Sequence, residues 1–253
     1  MNKHYFDFIR CSCNPCSQMR RNPVYAVLDF VRKERLLSWR RKEVIERKKK
    51  KVFILGQNKT GTTSLERYLR NADYILGDQR RFELETEHAL MGRFKQVEKL
   101  IDAGEAFQDV PFSKANEAFL DFLTSKYPNA RFILNTRDRL DWYNSCDRFY
   151  RKIWFHHDRD ITWEDLDGVN YHGGSVVLRK HRVNQTQFQP FEKEPFLDSF
   201  DTQNSKVEAY FSSRPYLKFL KTDVTRRDFD LEELATFLEI KEPVEFPRMN
   251  KSK

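Results

Sequence analysis

Apolar residues recur along the chain at two alternating spacings. Across residues 23–47, Val24, Val27, Leu28, Val31, Leu36 and Leu37 return every few positions among lysines and arginines, the pattern of an amphipathic helix. Val52, Phe53, Ile54 and Leu55 then follow one another without a polar break, as a strand covered on both faces requires. A loop over 56–62 precedes a helix over 63–70, with Leu65, Tyr68 and Leu69 on one side. A polar stretch over 78–87 separates this from a helical pattern through Leu90, Phe94, Val97, Leu100 and Ile101. A short strand over 106–110, a helix over 113–126, a strong strand over 131–136 and a helix over 139–155 come next. Residues 156–200 carry the weakest pattern, with helical spacing only near 176–188. A helix over 207–211, a strand over 216–221 and a helix over 231–238 close the chain. Strands alternating with helices at this spacing predict an α/β domain whose sheet is mainly parallel and flanked by helices.

Composition adds little to that picture, and charge adds more. The 253 residues suffice for one domain with a sizeable core, and 39% hydrophobic against 33% charged is an ordinary globular mix. The formal charge of +8 is uneven, because Arg20-Arg21, Arg32-Lys33, Arg40-Arg41-Lys42 and residues 47–51 concentrate it. The chain therefore divides into a basic N-terminal extension with a helix, residues 1–50, and an α/β domain, residues 51–253. A basic helix face is most often simply solvated; contact with an anionic membrane surface is the other reading. The charge runs lack interleaved aromatics for base stacking, so no nucleic-acid partner is expected. No run approaches the ~20 apolar residues of a membrane span, and residues 1–16 have no apolar signal core, which places the chain in the cytoplasm. Cys11, Cys13 and Cys16 cluster beside His4. Zinc needs a complete ligand set, no further Cys/His pair stands at a suitable spacing, and no metal is expected.

The most specific pattern runs from Val52 to Ser64. A buried strand enters a loop containing Gly56, Asn58, Lys59, Thr60 and Gly61, and Thr62, Thr63 and Ser64 open a helix. Backbone N–H groups at a helix N-terminus attract phosphate, and glycine lets the backbone wrap its oxygens closely. Lys59 adds a full charge. The glycine spacing is that of a Walker A loop, yet Thr62 stands where the Walker lysine belongs. An ordinary strand-to-helix turn would need neither the lysine nor three successive hydroxyls.

Lys59-Thr60-Gly61-Thr62-Thr63-Ser64 resembles the K-[ST]-G-[ST]-[ST] loop of the sulfotransferases, which grips the 5′-phosphosulfate of 3′-phosphoadenosine 5′-phosphosulfate (PAPS). A second segment agrees: the strand ending Asn135-Thr136-Arg137, followed by Ser145, is similar to that family's 3′-phosphate segment. The resemblance implies that Arg137 and Ser145 hold the donor's 3′-phosphate and that Gly56, Asn58 and residues 59–64 hold the phosphosulfate end. Val207, Tyr210-Phe211, the strand to Asp223, Leu234, Phe237-Leu238 and Phe246-Pro247 extend the likeness to about residue 251. The C-terminal R-K-G segment of the cytosolic drug-metabolising branch is missing, so the resemblance names no adenine contacts. It implies a P-loop-like sulfotransferase fold, PAPS as donor and adenosine 3′,5′-bisphosphate as product. It also implies direct in-line transfer to the hydroxyl or amine of a small molecule or carbohydrate.

Two residues are assigned the chemistry. Lys59 can reach the oxygen that bridges phosphorus and sulfur as its charge grows. Asp109 ends the second strand within Asp-x-Pro, which related sulfotransferases often have, and is taken as the base; the alternative is that it caps the helix after Pro111. Glu87 and His88 compete for the role, while His156-His157 and His172 could line the acceptor side. Arg137 could instead pair with Asp138 or Asp141. Two other functions fit the chain less well. A magnesium-dependent kinase would use Asp223 on the metal, and a catalytically silent nucleotide-binding module would keep the fold alone.

Overall fold

The computed structural model describes residues 23–151, 162, 192–242 and 244–247. Four parallel strands form one sheet in the order β2-β1-β3-β4: β1 Val52–Ile54, β2 Ala106–Phe107, β3 Arg131–Asn135 and β4 Lys218–Thr222. The register pairs Val52 with both Ala106 and Arg131, and Arg131 with Lys218. The expected α/β class with a parallel, helix-flanked sheet is what the chain adopts. From β1 the chain steps outward to β2 and then returns past β1 to β3 on the other side. That reversal opens a crevice at the carboxyl ends of β1 and β3, where such sheets hold ligands.

Alternation along β1 divides the interior into two cores, because successive strand residues point to opposite faces. Phe53 joins Leu55, Phe107, Phe112, Phe119 and Phe132 on one face. Val52 and Ile54 join Leu65, Leu69, Leu220 and Leu234 on the other. Phe53 stacks on Phe107 at 5.0 Å and on Phe132 at 5.4 Å between ring centroids. The abundant phenylalanines thus form a continuous layer under the sheet.

Among the described residues the helices are α1 Pro23–Arg47, α2 Thr62–Asn71, α3 Gln79–Leu90, α4 Lys95–Asp102, α5 Glu117–Lys126, α6 Arg139–Tyr150, α7 Lys193–Ser212 and α8 Leu231–Leu238. Helix α1 has the bounds its periodicity predicts, but over 31–47 it buries a narrower strip. Leu37 and Val44 lie inside, while Val31, Leu36, Trp39 and Ile45 stay exposed. Its grip on the domain is largely ionic, with Arg41 on Asp102 at 2.7 Å and Arg47 on the buried Glu105 at 2.9 Å.

Three expectations need correction. The polar stretch over 78–87 is helix α3, capped by Asp78, whose side chain accepts from Arg81 N. Only Phe82, Glu83, Thr86 and Ala89 face inward, so its apolar signal is thin. Gly92, at φ +78°, separates α3 from α4, and the two do not form one helix. The helix expected over 113–126 is a short 3-10 turn, Phe112–Lys114, followed by α5 with Asn116 as its cap. Helix α7 begins at Lys193, far ahead of the expected 207, and stacks Phe196 and Phe200 on Trp142 of α6 at 4.7 and 4.2 Å.

Candidate functional site

The loop after β1 is shaped by contacts on every side. A β-carbon at Gly56 would lie 2.1 Å from the Asn135 carbonyl oxygen of β3, so only glycine fits that approach. The chain then turns left-handed at Lys59 (φ +69°) and Gly61 (φ +96°). Thr60 is fully buried, and its hydroxyl donates to Gln57 O at 2.5 Å. Asn135, also buried, donates from Nδ2 to Thr60 O, while its Oδ1 accepts from Val224 N at 3.3 Å. One side chain therefore ties the loop to both β3 and the segment after β4. From α6, Trp142 Nε1 donates to Asn58 O at 2.9 Å, and Asn58 Nδ2 donates to the Tyr150 hydroxyl at 2.9 Å.

This loop delivers the N-terminus of α2, which starts at Thr62 with no side-chain cap. Ser64 N donates to Gly61 O at 2.9 Å, and a helix start of this kind turns its leading N–H groups toward an anion. Thr62 and Ser64 are buried, and Thr63 is exposed. Three cations stand around the loop. Lys59 Nζ lies 4.1 Å from the Phe149 ring centroid. Burial lowers the Lys59 pKa, and the positive charges of Arg137 and Arg148 add to the shift. Arg137 NH1 donates to Lys59 O at 3.3 Å, and its buried Nε has no partner among the described residues. The expected alternative, pairing of Arg137 with Asp138 or Asp141, is not what forms, since Asp138 instead caps α6 through Leu140 N and Asp141 N. Lys114 Nζ donates to Gln57 Oε1 at 2.9 Å, and burial pulls its pKa down to about 8. Ser145 lies half-buried on α6, between Trp142 and Tyr150.

Asp109 follows β2 and adopts φ +59°, a left-handed backbone that costs a non-glycine residue about 1–2 kcal/mol. Its Oδ2 accepts from Gln79 Nε2 at 2.8 Å and its Oδ1 from Val110 N at 2.8 Å. The 3-10 turn that follows, Phe112–Lys114, has Pro111 as its N-cap and no side-chain cap. The rival base His88 is exposed at the end of α3 and bonds Glu85 at 2.9 Å, outside the crevice network. His156-His157, His172 and the Cys11, Cys13, Cys16 cluster lie outside the described residues.

The structure thus brings the loop, the α2 N-terminus and Arg137 to one crevice, with Asp109 at the end of the neighbouring strand. Sequence reasoning missed Asn135, Trp142, Gln57 and Lys114. Asn135 left a trace, a lone amide ending an apolar strand; Lys114 left none.

A family model described as a sulfotransferase domain matches residues 51–253. No curated protein matches the chain.

Proposed function

Because the chain belongs to the sulfotransferase domain family, we propose that it moves a sulfuryl group from PAPS to an acceptor hydroxyl or amine in this crevice. Residues 51–253 would form the transferring unit, with residues 1–50 as a basic N-terminal extension. The observation that carries the reading is Arg137, which is held on the loop backbone yet forms no ion pair among the described residues and keeps a buried, unpartnered Nε. A guanidinium left so is suited to a phosphate. The buried Gln57 Nε2 has no partner among the described residues either. With the uncapped helix start, these atoms fit an anionic donor.

In this reading Gly56 and Gly61 allow the close approach, Asn58 and Thr60 hold the loop's shape, and Thr62, Thr63 and Ser64 meet the 5′-phosphate. Arg137 and Ser145 hold the 3′-phosphate. PAPS supplies a sulfur atom that bonds to the acceptor oxygen as its bond to the phosphate oxygen breaks, the electron pair leaving on that oxygen. Lys59 neutralises the growing charge there, and the Asp109 carboxylate takes the acceptor's proton. Gln79 orients that carboxylate. A carbohydrate is the acceptor class proposed. No helix among the described residues is long and apolar enough to cross a membrane, and we place the reaction in the cytoplasm. The kinase alternative is weakened because the Asp223 carboxylate is engaged by Thr225 N at 2.9 Å and Thr225 Oγ1 at 2.5 Å in its own turn.

Calorimetry with adenosine 3′,5′-bisphosphate and with ATP–Mg²⁺ tests this. Tight binding of the bisphosphate, unmatched by ATP and weakened at least about tenfold in Arg137→Ala, is expected. Preference for ATP, or indifference to Arg137→Ala, would overturn the reading.

A further inference from the structure

Between α2, the edge strand β2 and the first turn of α3 lies a cavity of about 70 Å³. Phe82 and Phe107 give it apolar walls, and Glu66, Arg70, Gln79 and Gln108 give it polar ones. Its charged groups satisfy each other. Glu66 accepts from Arg70 NH2 at 2.8 Å on one oxygen and from Gln108 Nε2 at 2.6 Å on the other. That contact also settles the Gln108 amide: the atom facing a carboxylate must be the NH₂, so its other end is the carbonyl. This Gln108 Oε1 is buried with no hydrogen-bond partner among the described residues. The cavity therefore offers an unused acceptor and calls for a donor.

Charge and size narrow what fits. The Glu66 carboxylate is already neutralised, and Arg70 stands at the wall, so an ammonium would meet repulsion that a hydroxyl does not. A cavity of about 150 Å³ holds a benzene ring, so this one of about 70 Å³ takes a group of roughly three or four heavy atoms. Position narrows it further. Gln79 lines the cavity and donates to Asp109 Oδ2 at 2.8 Å, which puts the space one side chain away from the candidate base. Asp109 and Lys59 do not line it, so the reacting oxygen sits outside and a neighbouring group sits within.

We propose that this cavity is an anchoring subsite for the acceptor, taking a short neutral arm that ends in a hydroxyl, such as the hydroxymethyl of a sugar, beside the hydroxyl that receives sulfate. The assignment rests on the sulfotransferase reading of Asp109 and Lys59, and it favours polyol acceptors over simple phenols.

Saturation-transfer NMR on the full chain loaded with adenosine 3′,5′-bisphosphate provides the test, with 1-propanol and propylammonium as probes. We expect 1-propanol to bind, propylammonium to bind at least about tenfold more weakly, and Gln108→Leu to lose about tenfold for 1-propanol. Leu76→Phe, which narrows the cavity but keeps the amide, should abolish 1-propanol binding. Bisphosphate binding by each variant reports its folding. Normal bisphosphate binding with no 1-propanol signal, or with 1-propanol binding that both substitutions leave unchanged, overturns the subsite. A wild-type chain that fails to bind the bisphosphate overturns the sulfotransferase reading instead. The 1-propanol comparison, repeated without nucleotide, then still decides whether the cavity takes a hydroxyl.

Discussion

Lys59 and Lys114 both sit where burial disfavours their charge, Lys59 within the loop after β1 and Lys114 reaching that loop from the 3-10 turn through Gln57. A protein keeps such a cation where an anion arrives to repay its desolvation. For Lys114 the consequence can be worked out with its sign. Its ammonium is present below about pH 8, so affinity for adenosine 3′,5′-bisphosphate should fall as pH rises through that value. Lys114→Met should lose about tenfold affinity at pH 7 and lose this component of the pH dependence in calorimetry. Stability should move the other way. The folded pKa is about 8 against the ordinary 10.5, so the unfolded chain holds more protons between those values. The cost of burying the charge is therefore present below pH 8 and relieved toward pH 10.5, and Lys114→Met should melt at a higher temperature at pH 7. A variant that lost affinity and stability together would mark Lys114 as a structural residue. Its part was illegible in the sequence, where it is one lysine among many. Asp109 was legible as a candidate because Asp-x-Pro marks it, but the amide that orients it was not.

At the scale of elements, the loop after β1 rests on helices rather than on its strand alone. Trp142 stacks on Phe196 and Phe200 of α7 while its indole N–H holds Asn58 O. The stack gives α6 a fixed rotation, and the hydrogen bond passes that rotation to the loop. Trp142→Phe keeps an aromatic ring in the stack and removes only the donor. It should cost about 1 kcal/mol in urea unfolding while weakening bisphosphate binding several-fold; unchanged binding would show that the loop holds its shape without α6. Elements with dense apolar signals, such as β1, β3 and α8, were readable from spacing. Helix α3 was not, because four inward residues among many charges give a thin stripe. Helix α7 was under-read because the buried Asn204 interrupts its apolar face between Phe200 and Val207. Only the packing of Phe196 and Phe200 on Trp142 shows how far it extends.

For the whole molecule, the basic helix α1 is a brace across the sheet edge. The Glu105 side chain has no exposed surface, and Arg47 is the cation paired with it. Removing one member of a buried pair leaves a charge without compensation. Arg47→Ala should therefore cost roughly 3 kcal/mol in chemical unfolding, and adding Glu105→Met should recover most of it. A cost that persists in the double variant would assign the effect to lost packing. The basic run that suggested an anionic partner is thus partly spent inside the protein, on Glu105 and Asp102. Taken alone, the sequence determined the α/β class and the strand–loop–helix segment that carries Lys59. It also determined the arginine just beyond β3, Arg137, since each of these is written in consecutive residues whose chemistry is local. Tertiary structure decided which side chains complete the site. Lys114 meets Gln57 across 57 positions, Asn135 meets Thr60 across 75 and Trp142 meets Asn58 across 84. Those meetings follow from strand order and helix packing, and no local pattern encodes them.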